Sequence, residues 1–189
     1  MATAALHSRY SRVSMWLHWS IALLIIGNLT AGIALSQELL PKALEPTAIG
    51  LHQSFGLTIM ALSLVRLGWR ASHPFVPFPA QMAGWEKLLA RSTHILFYVL
   101  IIAIPLTGWA MSSANPQHYP IPYFWLFDMP ALPVAVSGTN AHRFNTVHGY
   151  LAYGTLALLA LHVAGALKHR YFDRDDVLAH MVPGARRGG

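Results

Sequence analysis

The chain has 189 residues, 54% of them hydrophobic and 11% charged, with a mean hydropathy of +0.43 and a formal net charge of +6. That apolar excess excludes an ordinary water-soluble domain and defines an integral membrane protein. With no cysteine, disulfides and thiolate-held metal centres are excluded as well.

Crossing about 30 Å of hydrocarbon takes roughly 20 mainly apolar residues in a helix. Four segments qualify: residues 13–35, 48–69, 93–113 and 146–167. The predicted fold is all-α, an integral membrane four-helix bundle that occupies residues 1–189 as a single domain, without repeats or low-complexity tracts. The first span is too long and too studded with polar residues for a signal-peptide core, and no A-x-A-like cleavage site follows it, so it is expected to be retained.

Charge sets the expected topology. With the N-terminus in the cytoplasm, Arg9, Arg12, Arg66, Arg70, Lys87, Arg91, Lys168, Arg170, Arg174, Arg186 and Arg187 fall inside, leaving Lys42 and Arg143 of the 13 basic residues outside. This is a positive-inside pattern with both termini cytoplasmic. The net positive charge is then a basic membrane rim, and no nucleic-acid partner is implied. Trp16, Trp19, Trp69, Trp85, Trp109 and Trp125 lie mostly near span ends, where amphipathic rings favour the interface.

In chain order, the first span carries His18 near its inner end and the second carries His52 near its outer end. The third opens with His94 on the inner side. Between the third and fourth spans runs a loop, 114–143, rich in proline and aromatics (Tyr119-Pro120-Ile121-Pro122-Tyr123-Phe124-Trp125), expected to lie flat in the outer interface. The fourth span holds His148 near its outer end and His162 near its inner end.

His18 and His162 therefore share the inner layer, and His52 and His148 the outer. Along the fourth helix the two histidines are 14 residues apart. At about 100° and 1.5 Å per residue this leaves them within about 40° of one face and about 21 Å apart. An imidazole in hydrocarbon is costly without a partner and marks a functional site by default. Neutral imidazole ligates iron well, and facing helices of a bundle are a suitable place for such a site. Two layers of paired histidines point to two haems stacked across the bilayer, with His18, His162, His52 and His148 as metal ligands. Lacking cysteine for C-x-x-C-H attachment, the chain would hold them non-covalently, as b-type haem. Gly27, Gly32, Gly56, Gly149, Gly154 and Gly165 lie near these histidines or line the first helix. They read equally as close approach to a flat macrocycle or as small-residue helix packing.

The strings Trp16-Leu17-His18-Trp19, Leu51-His52-Gln53-Ser54-Phe55-Gly56, Thr93-His94-Ile95-Leu96-Phe97-Tyr98 and His162 through Leu167-Lys168-His169-Arg170-Tyr171-Phe172-Asp173 resemble the prokaryotic cytochrome b561 family, from about Arg9 to about Met181. The resemblance implies a di-haem, quinone-linked electron-transfer protein of the bacterial inner membrane, with the axial pairs carried onto His18 with His162 and His52 with His148. It also implies a quinone site, for ubiquinone or another quinone, near the cytoplasmic haem. His94 and His169, the latter seven residues after His162, are the candidates to bond the quinone or pass it protons. The competing readings are an interfacial cap for His94 and a snorkelling tail residue for His169. Arg66, Arg70, Arg91 and Arg170 lie where propionates or a headgroup would emerge, although topology already accounts for them. His7, His73, His118, His142 and His180 are assigned no role.

Two histidines per iron leave no open position, which favours outer-sphere electron transfer over oxygen chemistry. The leading expectation is a membrane electron carrier between the quinone pool and a donor or acceptor, such as a periplasmic protein. A variant is the membrane anchor of a dehydrogenase or hydrogenase. A second reading is a superoxide oxidase, passing electrons from superoxide to ubiquinone, although Lys42 and Arg143 against Glu38, Glu45 and Asp128 make no strong anion funnel. A third is a haem-free histidine-based transporter, which lacks the usual intramembrane carboxylates.

Overall fold

The computed structural model describes residues 9–73, 76–79, 81–117 and 119–182; His7, His118, Arg186 and Arg187 lie outside them. Its elements are helices α1 (Arg12–Ser36), α2 (Glu45–Ala71), α3 (Gly84–Ala114) and α4 (Gly138–Lys168), with a π-helical turn over His169–Asp173. A two-stranded antiparallel hairpin, β1 (Ile121–Tyr123) and β2 (Phe127–Met129), lies between α3 and α4. All four helices are long and apolar enough to cross a membrane. Their outward faces expose Leu23, Leu88 and Leu161, each about two-thirds accessible, as lipid-facing surface requires. The protein is a multi-pass, four-helix membrane bundle.

The helices outrun the predicted spans, most of all at α3, which starts nine residues earlier than 93, and at α4, which starts eight earlier than 146. Hydropathy marks only the part that crosses hydrocarbon, whereas caps set where a helix begins. Ser137 Oγ accepts from Asn140 N at 3.1 Å, and Glu86 Oε2 accepts from Ala83 N at 3.1 Å. His94 therefore lies almost three turns inside α3 rather than at its opening.

The 114–143 loop carries the β hairpin at its centre. Its hairpin turns through Phe124 and Trp125, both at positive φ (48° and 57°), a conformation that bulky residues adopt at a cost on the order of 1–3 kcal/mol each. Contacts to α2 hold it there. The fully buried Ser54 accepts from Phe124 N at 2.9 Å and lies 3.0 Å from Pro122 O, Tyr123 Oη is 3.1 Å from Thr58 Oγ1, and Phe124 packs edge-on against Phe55. Gly50 leaves room for the Trp125 ring, which a Cβ there would approach to 3.1 Å.

At the opposite end the start of the described chain meets the segment after α4. Arg9 donates to the carbonyls of Ala179 and Val182, and Trp19 Nε1 to that of Met181 at 2.8 Å. We refer to the two ends as the terminal side and the hairpin side. Helices pack as α1 with α2 and α3 with α4, joined by α2 on α3, while α4 keeps its backbone away from α1 and α2.

Candidate haem sites

The wide separation of α4 from α1 and α2 is where the histidines meet. On the hairpin side, the rings of His52 (α2) and His148 (α4) have centroids 6.1 Å apart at 76°. On the terminal side, those of His18 (α1) and His162 (α4) lie 6.3 Å apart at 70°. A metal ion bound at about 2.0 Å to one nitrogen of each ring, with each centroid roughly 1.1 Å beyond its nitrogen, needs about 6.2 Å between centroids. Both spacings suit a single ion between the rings.

Local structure orients the hairpin-side pair. The His148 Nδ1–H donates to the Ile104 carbonyl at 3.0 Å and lies 3.2 Å from Thr107 Oγ1, which leaves Nε2 as the free ligand atom. Among the described residues, His52 Nδ1 is a buried polar atom with no hydrogen-bond partner of normal geometry, of the kind a bound metal ion would satisfy. Glycines make room for both rings: a Cβ at Gly32 would come 2.9 Å from His52 Cε1, and one at Gly108 would come 3.2 Å from His148 Cε1. The pair lines a cavity of about 400 Å³ built from all four helices, with Gly56 and Pro105 in its wall. Its size and apolar lining are those of a cofactor pocket. Among the histidine-adjacent glycines singled out from sequence, Gly32 has this role, whereas a Cβ at Gly27, Gly149, Gly154 or Gly165 would meet nothing within 4 Å. Gly108 was missed, because it has no ligand histidine on its own helix and meets His148 only through the packing of α3 on α4.

The terminal-side pair has a third ring beside it. His94 lies 5.9 Å from His162, and Phe97 lies 5.4 Å from it. His169 is placed differently. The π turn carries it into a polar cluster, where its Nδ1 is 2.8 Å from Asp175 Oδ2 and 3.1 Å from Asp173 Oδ2. Lys168 beside it bridges Glu86 and Asp173, at 2.7 Å each. A seven-residue spacing keeps His169 on the His162 face only in an unbroken α-helix, and α4 ends at Lys168.

Four apolar helices with paired histidines between them define a membrane protein able to hold metal cofactors in its bundle. The family described as prokaryotic cytochrome b561 matches residues 9–184, and the chain belongs to it. The chain is similar to cytochrome b561 homolog 2 of Escherichia coli (strain K12), 32% identical over 92% of this chain and 91% of that one. It is also similar to the probable superoxide oxidase CybB of Yersinia pestis, 27% identical over 96% and 99% of the two chains. Cytochrome b562 of Cereibacter sphaeroides is 27% identical over 92% and 94%. The chain is thus a membrane cytochrome, and membership of this family implies b-type haem and a part in electron transport.

Proposed function

We propose that the protein holds two b haems, between His18 and His162 and between His52 and His148, and carries electrons across the bacterial inner membrane to or from a quinone such as ubiquinone. The observation that carries this reading is the spacing of the two ring pairs, 6.3 and 6.1 Å, across the gap that α4 leaves to α1 and α2. The charge bias supports a cytoplasmic terminal side.

When bound, haem supplies a reversible one-electron couple. The residues supply the rest. The paired imidazoles, His18 with His162 and His52 with His148, would hold the two groups, and two histidine nitrogens per iron would favour outer-sphere electron transfer. The Ile104 carbonyl holds His148 in one tautomer. The hairpin packs on α2 and places the buried Ile121 in the cavity wall, shielding the outer site from water. On the terminal side, His94 is the group next to His162 with ring nitrogens to bond a quinone oxygen or hand it a proton. His169, bonded to Asp175, is a second proton-passing group at the same end.

The test is to reduce the purified protein, mix it with a short-chain ubiquinone and follow the haem absorbance. Reoxidation is expected, slowed in His94→Ala with little change of spectrum; a wild-type protein that stays reduced would overturn the quinone reading.

The similarity to a probable superoxide oxidase supports a second reading, with superoxide as donor at the hairpin side. On the hairpin side Lys42 is paired with Glu38 and Glu45, and the exposed Arg143, in no ion pair among the described residues, is left to attract that anion without the further cations a funnel would need. The electron-carrier reading is therefore preferred. Superoxide that failed to reduce the haems would remove the oxidase reading alone.

A further inference from the structure

The two histidine layers differ in charge. Among the residues lining the hairpin-side cavity there is no Lys, Arg, Asp or Glu. On the terminal side the half-buried Arg66 reaches from α2 across to α1, where its Nη1 donates to the Ser14 carbonyl at 3.3 Å, one turn before His18. Its guanidinium is within electrostatic range of His18, His94 and His162. Of the carboxylates at that end, Glu86 and Asp173 pair with Lys168 and Asp175 with His169. Among the described residues, no carboxylate pairs with Arg66.

We infer that Arg66 makes the terminal-side haem the stronger electron acceptor of the two, so that electrons run from the hairpin side to the terminal side. The inference rests on the two-haem reading above. Gaining an electron removes one positive charge from the iron, so a fixed cation nearby stabilises the reduced form and raises its potential. In a bundle core that interaction is screened far less than in water. No Lys or Arg lines the hairpin-side cavity, where the nearest cation along α4, Arg143, is exposed to solvent. In the step itself one electron leaves ferrous iron on the hairpin side and reduces ferric iron on the terminal side; no bond breaks and no proton moves. A propionate that paired with Arg66 would lose its counter-ion when the arginine is removed, so the sign of the effect is the same with or without that pairing.

The experiment is a potentiometric titration of the purified holoprotein, with His148→Ala and His162→Ala each removing one haem to assign the two steps. The terminal-side step is expected at the higher potential. Arg66→Gln should lower it by about tenfold in the reduction equilibrium, about 59 mV for one electron, and leave the hairpin-side step in place. Arg66→Lys should retain most of the effect. A wild-type titration with the hairpin-side haem at the higher potential overturns the inference, and so does Arg66→Gln moving both steps equally or neither. If Arg66→Gln does not fold, the order of the two wild-type steps decides. One haem per chain in the wild type would instead overturn the two-haem reading.

Discussion

The two ends of the bundle hold the same pair of residue types in different ways. On the hairpin side the rings are fixed individually: His148 by the Ile104 carbonyl, and both rings by close glycines, Gly32 against His52 and Gly108 against His148. On the terminal side three rings crowd together, with His18 and His94 at nearly equal distances from His162, 6.3 and 5.9 Å. A rigid two-ring site specifies one ligand pair. A three-ring site beside cations leaves one imidazole for other chemistry.

The largest expected effects test whether the two sites are separate. His148→Ala should remove the hairpin-side haem and spare the other, and His162→Ala should do the reverse, each halving the haem content. Loss of neither haem from either variant would refute the pairing. Gly32→Leu should act like His148→Ala, because the new side chain would occupy the place of the His52 ring. An unchanged spectrum would show that the ring has another seat.

Smaller effects sharpen the contrast. Among the described residues His52 has a ring contact with no histidine besides its partner, so His52→Ala should lose its haem outright, whereas His18→Ala should keep part of the terminal-side haem low-spin through His94. Equal, complete loss in both variants would reduce His94 to a bystander. The smallest effect is expected at the hairpin. Ser54→Ala strands the Phe124 N–H and should cost about 1–3 kcal/mol of stability, read as a lower thermal midpoint with both haems retained at low temperature. No change in midpoint would show that Ser54 does not hold the turn.

What could be read from the sequence follows from the physics of each part. Spans of about 20 apolar residues announce themselves by hydropathy, and the depths of His18, His52, His148 and His162 follow from their positions within those spans. The helix ends did not, because residues 84–92 and 138–145 are too polar to register as a span yet are capped and helical. The hairpin was hidden for another reason. Successive positive-φ turn positions favour Asn and Gly, and Phe124-Trp125 in the three-residue connection 124–126 contradicts that preference; the compensating contacts come from Ser54, 70 residues away. His94 and His169 seemed alike as terminal-side candidates. Only the tertiary structure separates them, setting one against His162 and tying the other to Asp175.

The most direct test of the central claim is haem per chain in the detergent-purified protein, measured by pyridine haemochrome alongside oxidised and dithionite-reduced spectra. The two-site account requires two low-spin b haems per polypeptide. A single haem, or no Soret band in haem-replete protein, would contradict it.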